Sequence, residues 1–259
     1  MQHIARKRFG QNFLVDREII DAIIAAIAPQ SSDHMVEIGP GMGALTRPLL
    51  ERLEHLHVVE IDRVIAARLI REFPASRLRV HVTDALRFDF SALGENLRVV
   101  GNLPYNISSP LLFHLTCFVS RIRELHVMLQ KEVVERMVAA PSTTAYGRLS
   151  VMLQYRYVME KLMDVPSHAF RPAPHVESAV IRMLPRVPSE LQAKDESLFA
   201  RIVSSAFSQR RKTLRNTLSG YLAREDFAAL SIDPGWRAQN LTSGDFARIA
   251  NYFGNKVGR

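Results

Sequence analysis

The 259-residue sequence predicts an α/β fold, a wound parallel sheet followed by a small helical C-terminal domain, and three observations carry that prediction. Between residues 35 and 129 short β-rich runs alternate with segments of helical length and spacing. A glycine turn follows the first of these runs. Beyond residue 185 prolines mark the change to a helical, basic tail, so the expected domains are 1–185 and 186–259. A hydrophobic content of 47% supplies enough core for one large and one small domain.

In chain order, Asp16 is placed to cap an amphipathic helix whose apolar face is Ile19, Ile20, Ile23, Ile24 and Ile27. The same region resembles an export signal only superficially, because Asp16, Glu18 and Asp21 interrupt the stretch that would have to stay uncharged. Strands are predicted at 35–38, 56–60, 78–82, 97–101 and 125–129, and helices between them at 45–53, 64–73 and 110–119. Each helix can serve as a right-handed crossover, which keeps the strands parallel and gathers their carboxyl ends on one edge. Pro166, Pro172 and Pro174 make 165–174 an extended loop, and 178–184 resumes a strand.

Charge and cysteine usage narrow the function classes. The formal charge of +8 is uneven: residues 186–259 hold 12 Lys/Arg against 7 Asp/Glu, which points to a polyphosphate partner. No apolar run approaches the roughly 20 residues needed to span a bilayer. The single cysteine, Cys117, has no internal partner and lies in the apolar stretch 111–119, where it reads as a buried thiol in a reducing, cytoplasmic setting. The nine histidines show no ligand spacing with cysteine or acid partners, so no metal is expected; His55 and His57 read as packed or solvent-facing along a strand edge.

The run Val36-Glu37-Ile38-Gly39-Pro40-Gly41-Met42-Gly43 follows a predicted strand and opens a helix, so Gly39 and Gly41 allow a tight turn and a close approach of ligand to backbone. It lacks the Lys-Ser/Thr of a P-loop, and its Gly-x-Gly-x-Gly spacing departs from the dinucleotide fingerprint. Glu60 ends the second strand, 19 residues after Gly41, where a carboxylate can accept from both ribose hydroxyls. Asp84 ends the third, placed to accept from an adenine amino group. With no basic residue near the turn to receive phosphate, an adenosyl ligand without pyrophosphate fits. S-adenosyl-L-methionine is the candidate, and a NAD-type cofactor is the alternative.

The fourth strand runs into Gly101-Asn102-Leu103-Pro104-Tyr105-Asn106-Ile107-Ser108. An adenine amino lone pair is delocalised into the ring, so alkylating it requires acceptors that hold its N–H groups and favour a pyramidal nitrogen. Asn102 Oδ1 and the Leu103 carbonyl are suited to that task. Pro104 stiffens the turn and Tyr105 offers a ring on which a base can stack, worth about 1–3 kcal/mol per base in single-stranded recognition.

These segments do not stand alone. Lys7-Arg8-Phe9-Gly10-Gln11-Asn12-Phe13-Leu14, the glycine turn, Glu60-Ile61-Asp62, Asp84-Ala85, residues 101–110, Gln130-Lys131-Glu132-Val133, Tyr146-Gly147-Arg148-Leu149-Ser150 and residues 170–178 occur in that order. Over nearly its whole length the chain thereby resembles the small-subunit ribosomal RNA adenine dimethyltransferases of bacteria, a family shared with the eukaryotic dimethyladenosine transferases. The resemblance implies a Rossmann-like, S-adenosylmethionine-dependent methyltransferase sheet. It implies that Asn12 and Leu14 help enclose the cofactor with Gly39, Glu60, Asp84 and Asn102, and that Phe170 flanks the target base opposite Tyr105. The activity so implied is N6,N6-dimethylation of two adjacent adenosines near the 3′ end of 16S ribosomal RNA by a monomer working on immature small subunits.

For RNA contact, Gln209-Arg210-Arg211-Lys212-Thr213-Leu214-Arg215 predicts a helix with Arg211 and Arg215 at i, i+4 and Arg210 and Lys212 beside them. Arg6, Lys7 and Arg8 form a second cationic group near the cofactor entrance. Two other functions share these features: a large-subunit RNA dimethyltransferase conferring antibiotic resistance, and an assembly factor whose catalysis is secondary. DNA adenine and protein glutamine methyltransferases use an Asn-Pro-Pro-Tyr type of motif, but here Leu103 replaces the first proline.

Overall fold

The computed structural model describes residues 11–257, so Arg6, Lys7 and Arg8 lie outside the described residues. The chain divides into two compact units: residues up to Val134 together with Met159–Pro185, and Glu135–Val158 together with the residues from Arg186 on.

The first unit opens with strand β1 (Phe13–Leu14) and helix α1 (Arg17–Ile27), whose N-cap is Asp16, its carboxylate accepting from the Ile19 N–H. There follow β2 (Met35–Ile38), α2 (Thr46–Leu50), β3 (Leu56–Glu60), α3 (Arg63–Glu72), β4 (Leu78–Val82), β5 (Leu97–Asn102), α4 (Ser108–Thr116) and β6 (Ile122–Gln130). Helices α5 (Lys131–Val138) and α6 (Arg148–Arg156) precede the last three strands, β7 (Tyr157–Val165), β8 (Phe170–Arg171) and β9 (Ser178–Pro185). The main sheet has the order β4-β3-β2-β5-β6-β9-β7. Its first five strands are mutually parallel, as the crossover argument requires, and β9 runs antiparallel to β6. All four residues of β2 are buried, as expected of an interior parallel strand covered on both faces.

This order sets the position of the site. The chain winds from β2 outward to β4, then returns to lay β5 on the other side of β2, so the direction of winding reverses between β2 and β5. Ligands of open α/β sheets bind in the crevice beyond the carboxyl ends of such a strand pair. The Gly39 turn leaves β2 there and Asn102 ends β5 there.

Three expectations are corrected in the fold. The single division after residue 185 misses that 135–158 belong with the C-terminal helices. The apolar side chains of α6, Val151 and Tyr155, share a buried cluster with Phe199 and Ile202 of α7 (Glu196–Ala206) and with Phe246 and Ile249 of the last helix (Ser243–Val257), while Gln154 Nε2 donates to the Met137 and Ala139 carbonyls. Cys117 is exposed, because Leu111, Leu112 and Leu115 turn one face of α4 to the core and the residue after that helix falls on the opposite side. Three strands lay outside the expectations: β7, β1, and β8 within the proline-rich loop, which pairs with β1 through Leu14↔Phe170 and Phe13↔Arg171.

The histidines on β3 and β4 form a packed group rather than isolated rings. His57 Nδ1 lies 3.0 Å from His81 Nε2 with the rings stacked, and His55 and His34 have ring centroids 4.8 and 5.6 Å from that of His57. Burial, aided by His55, His81, His34 and Arg79, depresses the His57 pKa from 6.5 to about 4. The unfolded chain takes up a proton near pH 6.5 that the folded chain resists until about pH 4, so this contribution is complete above 6.5 and lost as the pH falls between those values. Thermal unfolding midpoints followed from pH 7 to pH 4 should therefore fall more steeply for the unaltered protein than for His57→Gln. Parallel curves would contradict this account.

Candidate active site

The crevice beyond β2 and β5 is a cavity of about 330 Å³. Its shape depends on glycine at two points. A Cβ on Gly101 would stand 2.3 Å from the Ile38 carbonyl oxygen, so β5 can lie this close to the end of β2 only with glycine there. Gly41 has φ +54° and a Cβ on it would meet the Phe13 ring at 3.0 Å, so the turn and the segment entering β1 share one narrow space.

Of the expected cofactor residues, Asn12, Leu14, Gly39, Gly41, Glu60, Asp84 and Asn102 all line this cavity, together with Leu103, Pro104 and Tyr105. Asn12 and Leu14 arrive from β1 and its approach, and the Asn102 side-chain amide donates to the Asn12 carbonyl at 3.1 Å. That bond commits Nδ2 and leaves Oδ1 as the end of Asn102 available to accept. The Leu103 N–H donates to the Met128 carbonyl on β6 at 3.0 Å, which pins the backbone of the turn, while the Leu103 side chain is fully buried. Tyr105 is half-buried, and its hydroxyl lies 2.5 Å from Ser178 Oγ.

The charge of the lining is one-sided. Glu37, Glu60 and Asp84 are its ionisable acids, and no Lys, Arg or His stands among the described residues that line it. Glu60 accepts from the Asp62 N–H at 2.7 Å, yet burial pushes its pKa up to about 7. Glu37, which accepts from Thr46 Oγ1 at 2.6 Å, is likewise raised to about 7 by burial, with Glu60 adding repulsion. Two buried carboxylates in one cavity favour a cationic ligand and disfavour a pyrophosphate. Sequence reasoning gave Glu37 no role; its signal was a lone acid inside an apolar central strand. Gln11 and Phe13 of the same cavity were also missed, since nothing in their local pattern marks them.

S-adenosyl-L-methionine fits these residues: acceptors for ribose and adenine at the strand ends, a glycine turn against its tail, and carboxylates to balance a sulfonium. Phe170 is not where the resemblance placed it. Its ring is fully buried in the core of the first unit, in one cluster with Leu14, Val165, Ala169 and Val180, and it is not part of the cavity lining. Among the described residues no group of three or more His, Cys, Asp or Glu side chains is arranged to hold a metal ion.

The basic segment lies in the second unit and differs from expectation in form. Helix α7 ends at Ala206, residues 207–213 form turns, and α8 (Leu214–Thr217) starts only after them, so Arg211 and Arg215 do not share a helix. The break has a cause: the Leu214 N–H is drawn to the Trp236 carbonyl at 2.7 Å and that of Arg215 to the Pro234 carbonyl at 3.1 Å, partners outside the helix. Arg210, Arg211, Lys212 and Arg215 are all exposed, and Arg210 donates to the Thr144 carbonyl. The same bonds place Trp236, 44% exposed, beside Arg215; sequence reasoning had not singled it out.

The close approach of β2 and β5 generates a direct test. Gly101→Ala should lower stability by about 1–3 kcal/mol, the usual range for overpacking, and should weaken cofactor binding measured by calorimetry, because the Asn102 turn must shift to admit the methyl group.

Comparison with known proteins agrees with this geometry. The profile of the family described as "Ribosomal RNA adenine dimethylase" matches residues 2–255. A protein named Ribosomal RNA small subunit methyltransferase A from Thiobacillus denitrificans is 62% identical over 254 residues, covering 98% of this chain and all of its own length. One of the same name from Nitrosospira multiformis is 62% identical over 99% of both chains. A crystal structure of a dimethyladenosine transferase from Plasmodium falciparum superposes with a TM-score of 0.82 at 26% identity, covering 95% of this chain and 98% of that one. The 23S rRNA methyltransferase ErmE shares the fold, with a TM-score of 0.73 at 24% identity over 94% of this chain and all of its own. The profile match from end to end, the two relatives at 62% identity and an acid-lined cavity opening on the Asn102 turn agree, and the chain belongs to the ribosomal RNA adenine dimethylase family.

Proposed function

We propose that this chain transfers methyl groups from S-adenosyl-L-methionine to N6 of two adjacent adenosines near the 3′ end of small-subunit (16S) ribosomal RNA, leaving N6,N6-dimethyladenosine at each. The observation that carries the chemistry is the cavity that ends at Asn102, Leu103 and Tyr105 and is lined, among the described residues, by acids and by no cation. The small-subunit target is supported by the names of the relatives at 62% identity, whereas the fold alone is shared with a large-subunit enzyme.

When bound, the cofactor supplies an electrophilic methyl carbon on sulfur. Asn102 Oδ1, freed by the commitment of Nδ2 to Asn12, and the Leu103 carbonyl accept the amino hydrogens of adenine and draw its lone pair out of conjugation. Tyr105 stacks on the base and fixes its plane. For each methyl gained the nitrogen loses one proton, which the positively charged product amine releases readily, so no strong general base is required. The cofactor residues are Asn12, Leu14, Gly39, Gly41, Glu60, Asp84 and Asn102, and to them we add Glu37.

Phe170 joins this site only by leaving the core, and we assign it to the base-flanking position on the strength of the resemblance. The first unit is the catalytic one. The exposed cations Arg210, Arg211, Lys212 and Arg215 make the second unit the phosphate-contacting one, and Arg6, Lys7 and Arg8 belong to the same task by charge. We take the protein to act as a cytoplasmic monomer on immature small subunits, on the strength of the resemblance.

Asn102→Ala should reduce methyl transfer to unmodified small subunits by about 10²–10³-fold, the usual loss for one transition-state hydrogen bond, with cells expressing it lacking dimethyladenosine by mass analysis. Normal subunit maturation in those cells would favour an assembly role, and transfer to naked large-subunit RNA by the unaltered protein would favour the resistance-type target. Replacing Arg211 and Arg215 together by Ala should flatten the dependence of log RNA affinity on log salt by about 1.5, about twice the 0.7–0.9 expected for each phosphate contact, and leave cofactor affinity unchanged. An unchanged slope would remove these residues from the RNA surface.

A further inference from the structure

Tyr105 is held at both ends. Its carbonyl accepts from Ser108 Oγ at 3.1 Å, at the start of α4, and its phenolic oxygen lies 2.5 Å from Ser178 Oγ. Ser178 is fully buried and is the first residue of β9. Because β9 runs antiparallel to β6, its beginning lies at the carboxyl edge of the parallel strands, where Ser178 pairs with Gln130 at the end of β6. Asn102 pairs with Met128 on the opposite side of β6. The sheet thus delivers one buried hydroxyl from the antiparallel strand to the tip of the ring that leaves the parallel one.

We infer that Ser178 is a positioning residue for methyl transfer, fixing the Tyr105 ring at the angle from which it holds the accepting base. The inference rests on the reading of Tyr105 as the stacking platform. A bond at the far end of the ring, with the backbone held at the near end, opposes rotation about χ1. The hydrogen-bonding directions of a phenol lie near the plane of its ring, so the same bond also opposes rotation about the ring axis. A ring free to rock still offers its face to a base, so binding survives, but the amino nitrogen is no longer held on line with the methyl carbon, and misplacement of that kind is felt in the chemical step.

The test is a double-mutant cycle on the full chain with unmodified small subunits. Ser178→Ala and Tyr105→Phe each remove one half of the bond and keep the ring. Each should lower kcat about 10-fold, with KM for the RNA substrate within about 2-fold of the unaltered enzyme, and the double variant should be no slower than either single one. Ser178→Thr, which keeps the hydroxyl, should recover most of kcat. The inference is overturned if Tyr105→Phe retains full kcat, if the two losses multiply, or if KM rises in place of the fall in kcat. Should Ser178→Ala not fold, Tyr105→Phe, which changes no packing volume beyond the hydroxyl, decides the matter alone. Failure of the unaltered enzyme to methylate small subunits would instead overturn the proposed function.

Discussion

The site depends on one close approach, the backbone of Gly101 against the carbonyl of Ile38. Two parallel strands diverge past their last hydrogen bond unless something permits them to stay together, and here the absence of a side chain at residue 101 does so. With β5 held against the end of β2, the glycine turn leaving one strand and the Asn102 turn leaving the other face a single cavity. Donor and acceptor chemistry are placed within one cavity by backbone alone. The side chains then need only refine an alignment the sheet already imposes.

Electrostatics divides that cavity by purpose. Glu37 and Glu60 are buried acids whose pKa values burial has raised to about 7, an arrangement that costs stability once they ionise and that no ion pair among the described residues offsets. Elsewhere the same fold shows how a purely structural buried acid is treated: Asp33 and Glu124 are likewise shielded from water, and both face the guanidinium of Arg98. Among the described residues Glu37 and Glu60 have no such ion pair, the contrast that a ligand bringing its own positive charge would account for. Functional sites are where such local costs are retained.

Much of the catalytic unit was legible in the sequence because its signals are local. A β-rich run bounded by turn residues needs no distant partner to be read, and the predicted strands at 35–38, 56–60 and 78–82 coincide with β2, β3 and β4. The Asp16 cap and the Gly101–Tyr105 turn are likewise written in neighbouring residues. What escaped was set by distant partners. Residues 135–158 join the helical unit because of where Val151 and Tyr155 find apolar neighbours, and no composition change announces it. The helix expected through Arg211 and Arg215 is broken by carbonyls some twenty residues later in the chain, at Pro234 and Trp236. Cys117 followed its apolar neighbours in composition but not in helical phase.

The placement of Phe170 ties the proline-rich loop to the wall of the cavity. Leu14 lines the cofactor cavity and is also the residue of β1 that pairs with Phe170. The bond continues on either side: the Val15 N–H donates to the Ala169 carbonyl at 2.8 Å, and the Asn12 carbonyl receives Asn102. A segment of four residues is therefore fastened at one end to the Asn102 turn and at the other to the loop that carries Phe170. Phe170 could leave the core only by giving up its pairing with Leu14, so the β1–β8 ladder joins the ring's position to the lining of the cavity.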